Sequence, residues 1–153
     1  MSDVTGRLRE LGIVLPAPYA PPAPLEAVVI HAGIARTSGQ LPRADGELRA
    51  LGLVGHDLTV DEGAAAARLC ALNGLAALAA ALGSLDAIER VLHVTGFVAC
   101  VAEFDQQPAV VDGASALLVE VFGAAGHHTR SAIGVAALPR RAAVEVELTV
   151  AVR

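Results

Sequence analysis

The sequence contains no lysine: all 11 of its basic residues are arginine. That absence excludes a lysine Schiff base, a lysine-anchored pyridoxal phosphate and a Walker A phosphate loop. Tryptophan is missing too, and three phenylalanines and one tyrosine are the whole aromatic inventory. With a formal net charge of −5, the chain offers little for stacking RNA bases or neutralising phosphates, so nucleic acid is not an expected partner. The two cysteines, Cys70 and Cys100, lie far apart and outside any CxxC or zinc spacing. Their apolar surroundings read as buried thiols in a reducing compartment. No n-region, h-region and cleavage-site pattern opens the sequence, and the expected location is cytoplasmic.

What remains is a chain of 153 residues, 54% apolar, with a mean hydropathy of +0.57. That length supports one domain with a real core. The longest apolar run, Ala64 to Leu82, is interrupted by Arg68 and Asn73, so no stretch reads as a membrane span. The apolar surplus reads instead as the lining of a subunit interface.

Residues 1–25 form an N-terminal extension: a short helix over Val4–Leu11, then a proline-rich segment, Pro16 to Pro24, that runs extended. Residues 26–153 read as a single domain. A hairpin comes first, Ala27–His31 and Ile34–Ser38 joined by Ala32-Gly33. Leu41–Leu58 has the glycines and proline of a loop. Thr59-Val-Asp-Glu62 is a capping box that opens a helix ending at Gly83. Leu69, Leu72, Ala76 and Ala79 mark its buried face. Val91–Val101 reads as a strand apolar on both sides, Val91, Thr95 and Phe97 on one and Leu92, Val94 and Val98 on the other. A second helix starts at Pro108 and ends near Phe122. Strands over Ala132–Ala136 and Ala143–Val152 complete a β-β-α-β-α-β-β order, an α+β fold with two long helices on one face of a mixed sheet.

The last strand places Glu145, Glu147 and Thr149 on one side and five valines and leucines on the other. Two carboxylates on one face are either a solvated surface or a site, and the pattern alone favours the surface. Arg130, just before the preceding strand, has the planar fork that binds a carboxylate, or it is a surface arginine paired with a glutamate. His127 and His128 are adjacent and diverge on extended backbone, without a third ligand at a recognised spacing, so no metal site is expected. Ser115 and Ser131 lack a nucleophile elbow, and no G-x-G-x-x-G follows a strand.

Five segments in order resemble a known family. Ser38-Gly-Gln-Leu-Pro42 resembles its S-G-Q-[IL]-P turn, and Ala67 to Asn73 its A-R-x-x-x-x-N helix. Leu85-Asp86 with Val91–Val101, and Phe104-Asp105, look like its strand and D-F corner. Arg130-Ser131, Val135 to Pro139 and Val144-Glu-Val-Glu147 resemble its signature ending, R-S-x-[IV]-x-V-x-x-L-P-x-x-[AV]-x-[IV]-E-[IV]-E. The sequence is thus similar to the Rid (reactive intermediate deaminase) family, long labelled YjgF or L-PSP endoribonuclease, in a divergent branch.

The resemblance implies a chorismate-mutase-like domain, a homotrimer around a central β-barrel, and clefts between subunits. It also implies hydrolysis of enamino and imino acids, such as 2-aminoacrylate, to 2-keto acids and ammonia, without metal or organic cofactor. Carried over, Arg130 clamps the substrate carboxylate and Glu145 handles the attacking water and proton transfer. Gly39 and Tyr19 border the pocket. Ala132 stands where the family's best-known deaminases have cysteine. Two other readings compete: a small-metabolite-binding regulatory trimer without turnover, and an endoribonuclease that inhibits translation, in which His127 or His128 would act as acid and base.

Overall fold

The computed structural model describes residues 3–153. A short helix, α1 (Val4–Glu10), is capped by Asp3, whose carboxylate accepts from the Gly6 N–H. The hairpin β1 (Val28–His31) and β2 (Ile34–Thr37) turns through Ala32 and Gly33, both at positive φ (50° and 76°). The predicted loop that follows contains a small second hairpin, β3 (Arg43–Ala44) and β4 (Glu47–Leu48). Then come α2 (Val60–Leu82), β5 (Ile88–Ala99), α3 (Gln107–Phe122), β6 (Thr129–Val135) and β7 (Val144–Val152).

The capping box is formed as its sequence predicts. The Glu62 N–H donates to Thr59 Oγ1 at 3.2 Å and the Thr59 N–H to Glu62 Oε2 at 2.7 Å. Gly83, at φ 81°, ends the helix. Of the face expected to be buried on α2, Ala76 is buried, but the centre of the buried side lies elsewhere. Ala67, Cys70, Ala71, Leu75 and Leu78 are fully buried, whereas Leu69 and Leu72 are half-buried. The alanine-rich stripe wins because α2 packs closely on both α3 and the sheet. At the helix crossing a Cβ on Gly113 would overlap the Ala64 carbonyl, so only glycine lets the backbones approach this far.

The main sheet has the order β1-β2-β7-β5-β6, with β5 and β6 parallel and the other neighbours antiparallel. α3 is the crossover between the parallel pair. Two corrections to the sequence reading matter for the site. First, β5 starts at Ile88 and carries irregularities, one of them between Val91 and His93. This shift puts Val91 on the same buried side as Val94 and Val98, leaving Leu92, Thr95 and Phe97 only partly covered. Second, β6 begins at Thr129, so Arg130 lies inside the strand, paired with Val94, rather than before it.

α2 and the segment Gln107–Gly126 have the length and hydropathy of membrane spans, 1.6 and 1.5, contrary to the sequence expectation. Their packing accounts for that composition: 56% of the α2 span is buried against the rest of the protein, and 39% of the second. The chain folds as a compact α+β domain whose core lies between these helices and one face of the sheet. Cys70 is fully buried in that core, where desolvation raises its thiol pKa well above the ordinary value. Cys100 is only partly buried, correcting the expectation of two buried thiols.

Candidate functional site

The two faces of β7 have opposite fates. Val144, Val146, Leu148, Val150 and Val152 enter the core, and Glu145, Glu147, Thr149 and Ala151 lie on the face away from the helices. Register extends this second face across the sheet. Glu145 stands beside Phe97, which stands beside Ile133, and Glu147 stands beside Thr95, which stands beside Ser131.

The Ser38-Gly39-Gln40 turn is stitched to this face. The Gln40 N–H donates to the Val146 carbonyl at 2.8 Å, and the Val146 N–H returns a bond to Gln40 at 3.0 Å. Ser38 Oγ donates to the Glu26 carbonyl at 2.6 Å. Gly39 is thereby pressed onto Glu145, so closely that a Cβ on it would lie 2.6 Å from Glu145 Oε1. An alanine there would make the Glu145 carboxylate swing aside, so glycine lets that carboxylate lie where it does.

The two carboxylates of β7 are electrostatically unlike. Glu147 accepts from Arg36 Nη2 at 3.2 Å. Glu145 has no cationic partner within 4.0 Å among the described residues. Burial, and secondarily the negative charge of Glu147, raises the Glu145 pKa above its ordinary value. A carboxyl moved toward neutrality can both take and give a proton.

Arg130 lies on the opposite face. Its register partner Val94 pairs in turn with Leu148, and both are buried toward the helices. Arg130 Nη1 donates to Asp112 Oδ1 at 2.7 Å and to Ser115 Oγ at 3.1 Å, both on α3. Ser115 Oγ is also 2.9 Å from His128 Nε2, and His128 Nδ1 is 2.6 Å from the Gly126 carbonyl oxygen. That carbonyl can only accept, so Nδ1 carries the proton and Nε2 accepts from the serine. His128 is thus engaged locally, while the His127 carbonyl accepts from Arg90 Nη2 at 3.1 Å. Ala132 is on the Arg130 side of β6, partly buried against the core.

Tyr19 is elsewhere again. The Arg43 guanidinium carbon lies 4.2 Å from its ring centroid, at the edge of a cavity of about 770 Å³. The structure therefore brings Gly39 and Glu145 together, keeps Arg130 and Ala132 on the other side of the sheet, and puts Tyr19 in a third place. Sequence reading missed Asp112 and Ser115 as the partners of Arg130, because helix α3 carries no local sign of what it faces. It noted Asn73 as an interruption of an apolar run and as the end of the A-R-x-x-x-x-N helix, and gave it no role; the interruption was the available signal of a buried polar group.

Comparison with known proteins places this geometry. A family described as YjgF/chorismate mutase-like, putative endoribonuclease, matches residues 5–151. The chain belongs to that family. It is 45% identical to protein TCP17 of Trypanosoma cruzi over 148 residues, 96% of this chain and 92% of that one. It is also similar to the crystal structure of protein Atu1372 of Agrobacterium tumefaciens, with 43% identity, a TM-score of 0.91, and 98% and 92% of the two chains covered. A structure named as a putative endoribonuclease, from Shewanella oneidensis, matches with 34% identity, a TM-score of 0.94, and 99% and 100% coverage. Family and fold are those that the S-G-Q-L-P turn and the R-S and V-E-V-E ending imply.

Proposed function

We propose that this YjgF-family protein hydrolyses reactive 2-imino acids, and the enamines that tautomerise to them, to 2-keto acids and ammonia. The observation that carries this reading is Glu145: a half-buried carboxyl of raised pKa, without a cationic partner among the described residues, held against the Gly39 backbone and beside Phe97. A protonated imine is already electrophilic, so catalysis needs an oriented water and proton movement rather than a covalent nucleophile. Water attacks the imine carbon while Glu145 takes its proton, forming the C–O bond of a carbinolamine. Glu145 returns the proton to nitrogen, the C–N bond breaks to release ammonia, and the hydroxyl proton passes back to the ionised Glu145 as the C=O bond of the keto acid forms.

Arg130 supplies the clamp for the substrate carboxylate. Since Arg130 and Glu145 occupy opposite faces of one sheet, the clamp on this reading comes from a neighbouring copy in a trimer. Partly exposed Phe97 and Ile133, in the same row as Glu145, are suited to being covered by that copy. Release of Arg130 from Asp112 costs little, because the Asp112 side chain is 67% exposed. Ala132, on the Arg130 side of β6, would border the substrate from the clamp side, whereas Tyr19 lies apart from both Arg130 and Glu145.

The test generates 2-iminopropionate with an amino-acid oxidase and follows its loss in competition with semicarbazide. Wild type should accelerate the loss, and Arg130→Ala and Glu145→Gln should not. Co-assembled Arg130→Ala and Glu145→Gln chains should recover about a quarter of the wild-type sites if the two residues come from different copies. No turnover by wild type across small and bulky imino acids would overturn the reaction. Turnover by wild type without recovery in mixed assemblies would overturn the shared site.

A further inference from the structure

One cavity lies away from Gly39, Arg130 and Glu145. It lies between the extended segment Leu15–Tyr19, the β3–β4 turn, α2 and Arg140, with a volume of about 770 Å³, a size that accepts a small organic ligand. We infer that this cavity binds an apolar carboxylic acid that also carries a neutral O–H or N–H donor next to its carboxylate, of the 2-hydroxy acid or N-acyl amino acid class.

Asn73 specifies the donor. Its side chain is 1% exposed, yet it forms part of the cavity wall. Nδ2 donates to the Arg43 and Leu69 carbonyls, both at 2.9 Å, which uses both amide hydrogens and fixes the orientation of the group. Oδ1 is left as the one buried side-chain polar atom without a hydrogen-bond partner among the described residues. Buried acceptors are nearly always satisfied, and this one can be satisfied only by something that donates.

Arg43 and Arg140 specify the carboxylate. Both line the cavity, and neither guanidinium has a carboxylate within 4.0 Å among the described residues. Asp45 also lines the cavity, but its exposed carboxylate is 3.6 Å from Arg49. Tyr19 lies against the Arg43 guanidinium and provides it with a flat shelf. Arg140 is held at the rim at φ 56°, followed by Arg141 at 61°, a left-handed pair without glycine. Backbone strain of this kind persists where the surrounding structure enforces it and recurs at ligand sites. Two unneutralised guanidiniums favour an anion and repel an ammonium, so the donor is neutral. Leu15, Pro16, Leu69 and Leu72 furnish apolar wall for the rest of the ligand.

The experiment is calorimetric titration with three probes: 2-hydroxy-4-methylpentanoate, 4-methylpentanoate, which lacks the donor, and leucine, whose donor is an ammonium. The hydroxy acid should bind at least about tenfold more tightly than either control, as one hydrogen bond to an unsatisfied buried acceptor allows. Arg43→Gln with Arg140→Gln should weaken it by a further factor of about ten or more, while Glu145→Gln leaves it unchanged. The substitution at Arg43 spares the backbone carbonyl that Asn73 holds. Removing the donor from the ligand, rather than Asn73 from the protein, avoids a variant that fails to fold. Equal binding of all three probes, no binding at about 10 mM, or full binding by the double arginine variant would overturn the inference. Loss of imine hydrolysis with retained binding, or the reverse, separates this site from the proposed reaction.

Discussion

The two faces of the central sheet, built from alternate residues of the same strands, solve different problems. The face toward the helices is filled from within the chain: Val94, Val98, Val144, Val146 and Leu148 are fully buried against α2 and α3. The opposite face holds Thr95, Phe97, Glu145 and Glu147, none of them fully covered. On the first face a polar group must find a partner in the chain, and Arg130 does so through Asp112 and Ser115. On the second, a carboxyl can be left without a cation, because it is only half-buried and can remain protonated more readily. Packing is thus resolved on one side and chemistry is exposed on the other, which is where a further copy could complete a site.

The sharpest way to break this comparison is to damage each face in turn. Leu148→Ala, on the filled face, should cost about 2–5 kcal/mol in urea denaturation, since it opens a cavity in a close-packed core. Glu145→Gln, one turn of the pleat away on the other face, should do the reverse to stability and far more to activity. Imine hydrolysis should fall by about 10²–10⁴-fold, the usual contribution of a positioned acid or base.

The sign on stability follows from linkage. A carboxyl whose folded pKa is raised binds its proton more tightly in the folded state. Its stabilising contribution is therefore full below the unfolded pKa and lost as pH rises through the folded value. At neutral pH the ionised Glu145 is a liability, so Glu145→Gln should melt higher than wild type. That advantage should shrink as pH falls through the raised pKa of Glu145, and thermal denaturation as a function of pH reads it directly. A Tm difference independent of pH would sink the electrostatic account.

Arg130→Ala should separate activity from stability in a third way. Loss of the carboxylate clamp should show mainly in kcat/KM for imino acids, while denaturation shifts by about 1 kcal/mol or less, because the partner Asp112 is solvated. The smallest effect is a rate difference at the cysteines. A thiol reagent under native conditions should modify partly buried Cys100 well before Cys70, whose buried thiol is held protonated and donates to the Val144 carbonyl at 3.4 Å.

Much of this architecture is legible in local pattern. The capping box, Gly83, the Ala32-Gly33 turn and the strict alternation of β7 each encode their own geometry within a few residues, and each forms as read. The buried face of α2 was misjudged because the helix is apolar nearly all round, so periodicity could not choose between leucines and alanines. The start of β6 was misplaced because Thr129 and Arg130 are strand only through parallel pairing with β5.

Sequence alone determined the α+β order, which follows from residue type and short-range periodicity and needs no knowledge of distant neighbours. It also carried the family, through likeness of the R-S and V-E-V-E ending to a known signature, and that likeness, not periodicity, singled out Glu145 and Arg130. Tertiary structure alone decided that Gly39 presses on Glu145, that Arg130 faces Asp112 from the other side of the sheet, and that Asn73 keeps an unanswered acceptor at the wall of a cavity. Each depends on contacts between residues far apart in the chain, and on a strand register in which a shift of one residue sends a side chain to the opposite face.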